Sequence, residues 1–145
     1  RKARPVMERL VRECKEAVYL AIRHGDEILF LDGVDTPQQV KIVTLAGKRY
    51  PISSTSAGKV LSRCPATSED YKKGTDIDNG GLGEGVISIA APLIESSGDM
   101  PGSICMVGPA FRLTPEKIDM ELRPALIETG MTISSKLGYV GHYIN

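Results

Sequence analysis

Four short apolar runs, paired around turn-forming residues, constrain the fold of this chain more than any other feature. They occupy residues 17–22, 27–31, 86–91 and 103–107. A Gly-Asp turn at Gly25 separates the first pair, and a Ser/Gly/Asp-rich turn at residues 96–99 separates the second. Apolar, partly β-branched runs that flank such turns predict two β-hairpins. The third run is predicted to end at Pro92, and a further strand is predicted at residues 40–44.

Helical patterns lie at both ends of the chain. Val6, Leu10 and Cys14 recur on one helical face behind Pro5. Near the C-terminus, Thr114 has the features of an N-cap and is followed by a 3.6-residue apolar period. Pro124 is predicted to kink or split this last helix, and Gly138 to end it.

A shorter helix is predicted at residues 57–63, capped by Thr55 or Ser56 and stopped by Pro65. Residues 71–74 have the pattern of a helix end with a terminal glycine. The order is helix, hairpin, strand, short helix, hairpin and long helix. It predicts an α+β fold, a single domain built on one antiparallel sheet.

Composition excludes several classes of protein. The 145 residues carry 18 basic and 18 acidic side chains, and this neutrality disfavours a nucleic-acid binder acting alone. There is no apolar run long enough for a membrane span, and the basic N-terminus is not followed by the apolar core of a secretory signal. The three separated cysteines form neither a C-x-x-C pair nor an even set. We therefore expect a cytoplasmic protein with no bound metal and no cofactor.

The Ser/Thr-rich passage before Gly58 is the first candidate for binding chemistry. Hydroxyls and backbone N–H groups at the start of a helix suit an anion, so residues 54–58 are candidates to hold a carboxylate. A capped turn without any ligand is the alternative. The Gly58-Lys59 pair is not a P-loop, because the earlier glycine is missing and Val60 follows where Ser or Thr is required.

Other candidates lie in the second half of the chain. The glycine-rich residues 80–85 precede a strand rather than a helix, so a loop is favoured over a dinucleotide site. Asp78 before them is either a turn residue or a ligand contact. Ser88, Cys105 and Val107 lie on the two late strands, and Cys105 is more typical of a small buried residue than of a nucleophile.

The sequence resembles the effector-binding domain of the IclR family of bacterial transcription regulators. Four segments, in chain order, carry the resemblance: AVYLAIRHGDEILFLD, YPISSTSAGKVL, GVISIAAPL and GSICMVGPAFRLT. The resemblance implies a GAF-like fold, a curved antiparallel sheet flanked by helices. It also implies that residues 1–16 form a linker and N-terminal helix, that residues 17–145 form the effector-binding domain, and that the family's winged helix-turn-helix domain is absent from this chain.

The resemblance further implies a cavity that binds a small organic acid. The positions that map to this site are Ser56, Ala57, Tyr50, Ile42, Asp78, Val86, Ser88, Cys105 and Val107, with Ile42 on a strand before Tyr50. Two departures stand out. Asn79-Gly80-Gly81 replaces a run of acidic residues, and only residues 65–71 fill a space where the family has one or two helices.

Three functions follow. The first is a non-enzymatic sensor that binds an acid, contacts DNA only through the missing N-terminal domain, and forms a homodimer or homotetramer without membrane contact. The second is a thiol-dependent reductase that uses Cys64 or Cys105 on the same scaffold. The third is a dimerisation domain whose cavity holds no ligand.

Overall fold

The computed structural model describes residues 3–62 and 75–138, in which six strands form one antiparallel sheet. The sheet order is β3-β2-β1-β6-β5-β4, and the sheet curls into a half-barrel. Its strands are β1 (Ala17–His24), β2 (Glu27–Val34), β3 (Arg49–Pro51), β4 (Asp76–Asn79), β5 (Val86–Leu93) and β6 (Gly102–Pro109). The predicted α+β class, the single sheet and both hairpins are confirmed.

The helices are α1 (Arg4–Cys14), α2 (Ser56–Lys59), α3 (Pro115–Lys117) and α4 (Arg123–Lys136). A 3₁₀ turn, Val60–Ser62, continues α2, and a π-helical segment, Ile118–Leu122, joins α3 to α4. The predicted interruption is therefore present, with Pro124 in the first turn of α4, where it needs no backbone hydrogen bond. Gly138 follows α4 with a positive φ of 91°.

Both faces of the sheet are buried, because side chains alternate between two apolar clusters. One cluster packs α1 and α4 against side chains such as Leu20, Ile89 and Met106. The other lies on the opposite face, beneath α2, and includes Tyr19, Phe30 and other residues that alternate with the first set. We call this second surface the α2 face. The nearly continuous burial of β5 and β6 follows from having a cluster on each side.

Three strand predictions are wrong or incomplete. Residues 40–44 form no strand, and the apolar side chains of Val40 and Val43 are mostly exposed. The strand in this part of the chain is β3, which pairs with the start of β2. Strand β4 was not predicted. Strand β5 continues through Pro92 to Leu93, because β4 pairs no further than Ala90 and Pro92 lies where the sheet has one neighbour fewer.

Several sequence predictions fall outside the described residues. They concern Cys64, the stop at Pro65, the helix end at residues 71–74 and the shortened segment at residues 65–71. In the described parts of the chain, no helix is both long and apolar enough to cross a bilayer. Helix α1 packs in the same core as the sheet.

Candidate functional site

The α2 face brings the predicted site residues together from separate parts of the chain. Their side chains come from the loop before β3, from β3, α2 and β4, and from β5 and β6. Six of them belong to or pack against the apolar cluster of this face: Ile42, Tyr50, Ala57, Val86, Cys105 and Val107. Ile42 lies in an irregular loop, not on the predicted strand. Ser56, Ser88 and Asp78 supply polar groups.

Local sequence fixes where α2 lies on the sheet. Thr55, in an extended conformation, caps the helix by accepting a hydrogen bond from the Gly58 N–H at 3.3 Å. A side chain at position 58 would collide with the backbone of Ile52, so only glycine allows this close approach. The buried Ser103 hydroxyl of β6 donates to the Ala57 carbonyl at 2.9 Å. Helix α2 is therefore held by its N-cap, by its close approach to Ile52 and by a hydrogen bond from the sheet.

Three polar side chains meet beneath α2 and are fully buried. The Ser56 and Ser88 hydroxyl oxygens are 2.7 Å apart, and Ser56 Oγ lies 3.6 Å from Cys105 Sγ. Burial raises the pKa of the Cys105 thiol to about 12, although the hydrogen bonds from both serines oppose the shift. Cys105 is thus a neutral thiol in a polar cluster, which we call the Ser/Ser/Cys cluster.

Asp78 lies beside this cluster, opposite Ser88 in the β4–β5 pair. Its buried carboxylate accepts from the Lys59 ammonium at 3.2 Å and from the Gly81 N–H at 2.8 Å. A side chain at position 81 would collide with the Ser54 carbonyl and the Asp78 carboxylate, so the glycines after β4 allow this approach. Asp78 is both a turn residue and a charged group at the α2 face.

Aromatic side chains that the sequence predictions missed form one wall of this face. Tyr19 and Phe30 pack edge to face with centroids 5.7 Å apart, and Phe30 packs likewise on Tyr50 at 5.8 Å. The Tyr19 hydroxyl accepts from the Leu45 N–H at 3.3 Å. The period-2 alternation of residues 17, 19 and 21 with residues 28 and 30 is the signal that places these rings on the α2 face.

The arrangement suits binding better than catalysis. The buried hydroxyls are paired, and Cys105 carries no thiolate at neutral pH. Among residues 3–62 and 75–138 no group of three His, Cys, Asp or Glu side chains is placed to hold a metal. A described apolar cavity of about 450 Å³ lies away from the site, on the opposite face near Leu20 and Ile133.

Comparison with known proteins gives a consistent result. The family model "Bacterial transcriptional regulator IclR C-terminal" matches residues 1–71. The chain is 27% identical over 169 residues to the HTH-type transcriptional regulator KipR of Bacillus subtilis, covering 94% of this chain and 66% of KipR. It is 24% identical to the HTH-type transcriptional regulator KdgR of Escherichia coli, covering 92% of this chain and 62% of KdgR.

Solved structures share the fold. The crystal structure of the Thermotoga maritima IclR superposes with a TM-score of 0.83 at 24% identity, covering 94% of this chain and 67% of that one. The C-terminal domain of E. coli KdgR superposes with a TM-score of 0.77 at 23% identity, covering 95% of this chain and 97% of that domain. The chain thus spans slightly less than two thirds of the length of KipR and of KdgR.

Proposed function

We propose that this chain, which is similar to the C-terminal domain of IclR-family regulators, is an effector-binding domain that senses a small organic acid and modulates DNA binding by an attached helix-turn-helix domain. The relatives are transcriptional regulators, not enzymes. The observation that carries the proposal is the α2 face, where an apolar, aromatic wall surrounds the Ser/Ser/Cys cluster. Ligand sites commonly combine a mostly apolar lining with a few convergent polar groups.

Each part of this face has a role in the proposal. The Ser56 and Ser88 hydroxyls can rotate, so each can donate to an incoming carboxylate. The Lys59 ammonium, partly exposed and paired with Asp78, supplies positive charge nearby. The body of the acid packs against Tyr50, Val86 and Val107. Ile42 and Ala57 complete the proposed site.

The proposed domain regulates without a chemical step. A ligand shifts a regulator only if it binds its two states unequally, so the acid would favour one arrangement of the full-length protein. The names of KipR and KdgR describe HTH-type regulators, and this chain covers 66% of KipR and 62% of KdgR. DNA contact is accordingly proposed for the attached domain alone, and residues 17–145 are proposed as the sensing unit.

A panel of keto acids, dicarboxylates and aromatic acids tests the proposal by thermal shift, followed by calorimetry. An acid at a hundred times its dissociation constant should stabilise the fold by about 2.7 kcal/mol. Ser88→Ala should weaken its binding about tenfold or more, as expected for loss of one hydrogen bond to a charged group. Ser134→Ala is the matched control, because Ser134 is equally buried and hydrogen-bonded but lies on α4. Equal affinity in wild type and both variants would place the ligand elsewhere.

The same domain is proposed to form a homodimer or homotetramer. Phe111 and Met120 are large apolar side chains that stay mostly exposed in the single chain. Sedimentation at tens of micromolar, on the order of ordinary assay concentrations, should give a mass above that of one chain. A sharp monomer boundary would refute this part of the proposal.

A further inference from the structure

Arg112 joins three parts of the chain that are distant in sequence. Its guanidinium makes a two-point ion pair with Glu16, with Nε–Oε2 at 2.7 Å and Nη2–Oε1 at 3.0 Å. The Glu16 side chain is fully buried and that of Arg112 is 14% exposed. The remaining Nη1 donates to the Val40 carbonyl at 2.7 Å. The guanidinium group is planar and always charged, so it can bind a carboxylate and a carbonyl at the same time. A lysine ammonium cannot reproduce this geometry.

Val40 belongs to the segment between β2 and β3, residues 35–48, which we call the covering loop. Its inner side packs on the α2 face through Leu45, which is buried, and Ile42, which is partly buried. Its outer side exposes Val40 and Val43. The loop therefore lies over the same apolar cluster that contains Ala57, Cys105 and Val107.

The covering loop is tied to the rest of the fold near its start, in its middle and near its end, where Gly47 and Lys48 also form backbone hydrogen bonds with Phe30 of β2. Near its start, the Thr36 hydroxyl donates to the Lys15 carbonyl at 2.6 Å, and near its end the Leu45 N–H donates to Tyr19. Arg112 holds the middle, through Val40. The Lys41–Asp35 ion pair stays within the loop and is exposed, so it adds little.

We propose that Arg112 is a positioning residue that holds the covering loop closed over the α2 face, and so sets the affinity of the acid site without touching the ligand. The ion pair with Glu16 fixes the guanidinium, and the guanidinium fixes Val40. Glu16 lies two residues after Cys14, the last residue of α1, so the same contact ties the covering loop to the end of the N-terminal helix. The first half of this inference concerns the loop alone, and the second half rests on the proposed function.

Trypsin tests the loop without any ligand, because Lys41 follows Val40 directly. Arg112→Lys keeps a cation beside Glu16 but removes the fork that reaches Val40. When the covering loop opens and closes faster than trypsin cleaves it, the cleavage rate is proportional to the fraction of molecules in which the loop is open. Losing one charge-assisted hydrogen bond should raise cleavage after Lys41 about tenfold at a temperature well below melting. Arg123→Lys is the control, because Arg123 pairs with Asp119 and lies away from the covering loop. It should leave the rate of cleavage after Lys41 unchanged.

A second variant distinguishes release of the covering loop from destabilisation of the whole fold. Glu16→Gln combined with Arg112→Met removes both charges, so neither is left buried and unpaired. It should release the loop as Arg112→Lys does, with cleavage after Lys41 rising more than cleavage elsewhere in the chain. If both variants show the melting temperature of wild type and its rate of cleavage after Lys41, the inference is overturned. If cleavage rises equally at all sites, Arg112 supports the whole fold and not the loop in particular, which also overturns it.

Calorimetry with pyruvate, succinate and benzoate tests the second half. An acid that binds wild type should bind Arg112→Lys several-fold more weakly and Arg123→Lys with unchanged affinity. Faster loop cleavage with unchanged acid affinity would refute the link between loop and site. If none of these acids binds wild type, the proposed function is in question, whereas the trypsin result still decides whether Arg112 holds the loop.

Discussion

At the scale of single residues, the Ser56–Ser88 contact is the clearest case of two polar groups that depend on each other. Ser56→Ala would leave the buried Ser88 hydroxyl without this partner, and we expect a loss of about 1–3 kcal/mol of folding free energy. Removing both hydroxyls should cost less than the sum of the single changes, because neither hydroxyl is then left buried without its partner. Urea denaturation of wild type, both single variants and the double variant measures this coupling. Strictly additive effects would mean that the hydroxyls act independently.

The described cysteines should be unreactive in the folded protein. Burial raises the pKa of Cys14 to about 11 and that of Cys105 to about 12, so both remain thiols at pH 8. A Cys64→Ser background removes the third cysteine, and an aromatic disulfide reagent should then label no thiol until urea is added. Rapid labelling of the native protein would contradict the burial.

The same shift in pKa predicts how stability changes in alkali. The folded protein favours the neutral Cys105 thiol, so its contribution is present below the ordinary pKa of 9.0 and declines as pH rises from there toward about 12. Cys105→Ala should therefore flatten the fall in unfolding free energy between pH 9 and pH 11, measured by urea titration at each pH. If the free energy of unfolding falls as steeply in Cys105→Ala as in wild type, groups other than Cys105 cause the fall.

At the scale of elements, the Thr55 cap should decide whether α2 forms, because so short a helix has few hydrogen bonds of its own. Thr55→Ala should lower the free energy of unfolding by about 1 kcal/mol, and Thr55→Ser should restore most of it. Chemical denaturation of the three proteins checks this. If Thr55→Ser is as unstable as Thr55→Ala, packing of the threonine methyl group is responsible rather than the cap.

The sequence predicted those strands and helices that have a strong local sequence pattern. The β1–β2 and β5–β6 hairpins combine apolar runs with glycine turns, and the last helix begins at a Thr-Pro pair. Strands β3 and β4 are short and polar, and they exist because β2 and β5 offer open edges to pair with. That pairing is nonlocal, so no local pattern indicates it. The apolar residues 40–44 mimic a strand, yet Val43 faces solvent.

The site shows the same division between local and nonlocal information. Residue types near Gly58 predicted a capped helix start, and the structure has one. The contact between Ser56 and Ser88 joins residues 32 apart in the chain and depends on how α2 packs across β5. The sequence made residues 54–58 candidates to hold a carboxylate, and the structure adds that the Ser56 hydroxyl is buried against Ser88 of β5. A buried position also means that Ser56→Asp would bury a carboxylate and destabilise the fold.

At the scale of the whole molecule, the distribution of charge bears on what this chain does with DNA. The net charge is zero, and several described arginines are already paired with carboxylates, among them Arg4 with Asp32 and Arg123 with Asp119. Nonspecific DNA affinity comes mainly from cations that neutralise phosphates, and this chain has no excess of positive charge to supply it. The chain alone should therefore bind duplex DNA weakly and without sequence preference.

Fluorescence anisotropy with two labelled duplexes of unrelated sequence tests this expectation at low and at physiological salt. Dissociation constants should be about 100 µM or weaker at physiological salt and equal for the two duplexes, the weak end of nonspecific binding. Lysozyme, a compact basic protein of similar size, is a suitable positive control for charge-driven binding, and its affinity should fall steeply with salt. Submicromolar binding by this chain that distinguishes the duplexes would show that the domain itself reads DNA. That result would contradict the proposal that this chain contacts DNA only through an attached helix-turn-helix domain.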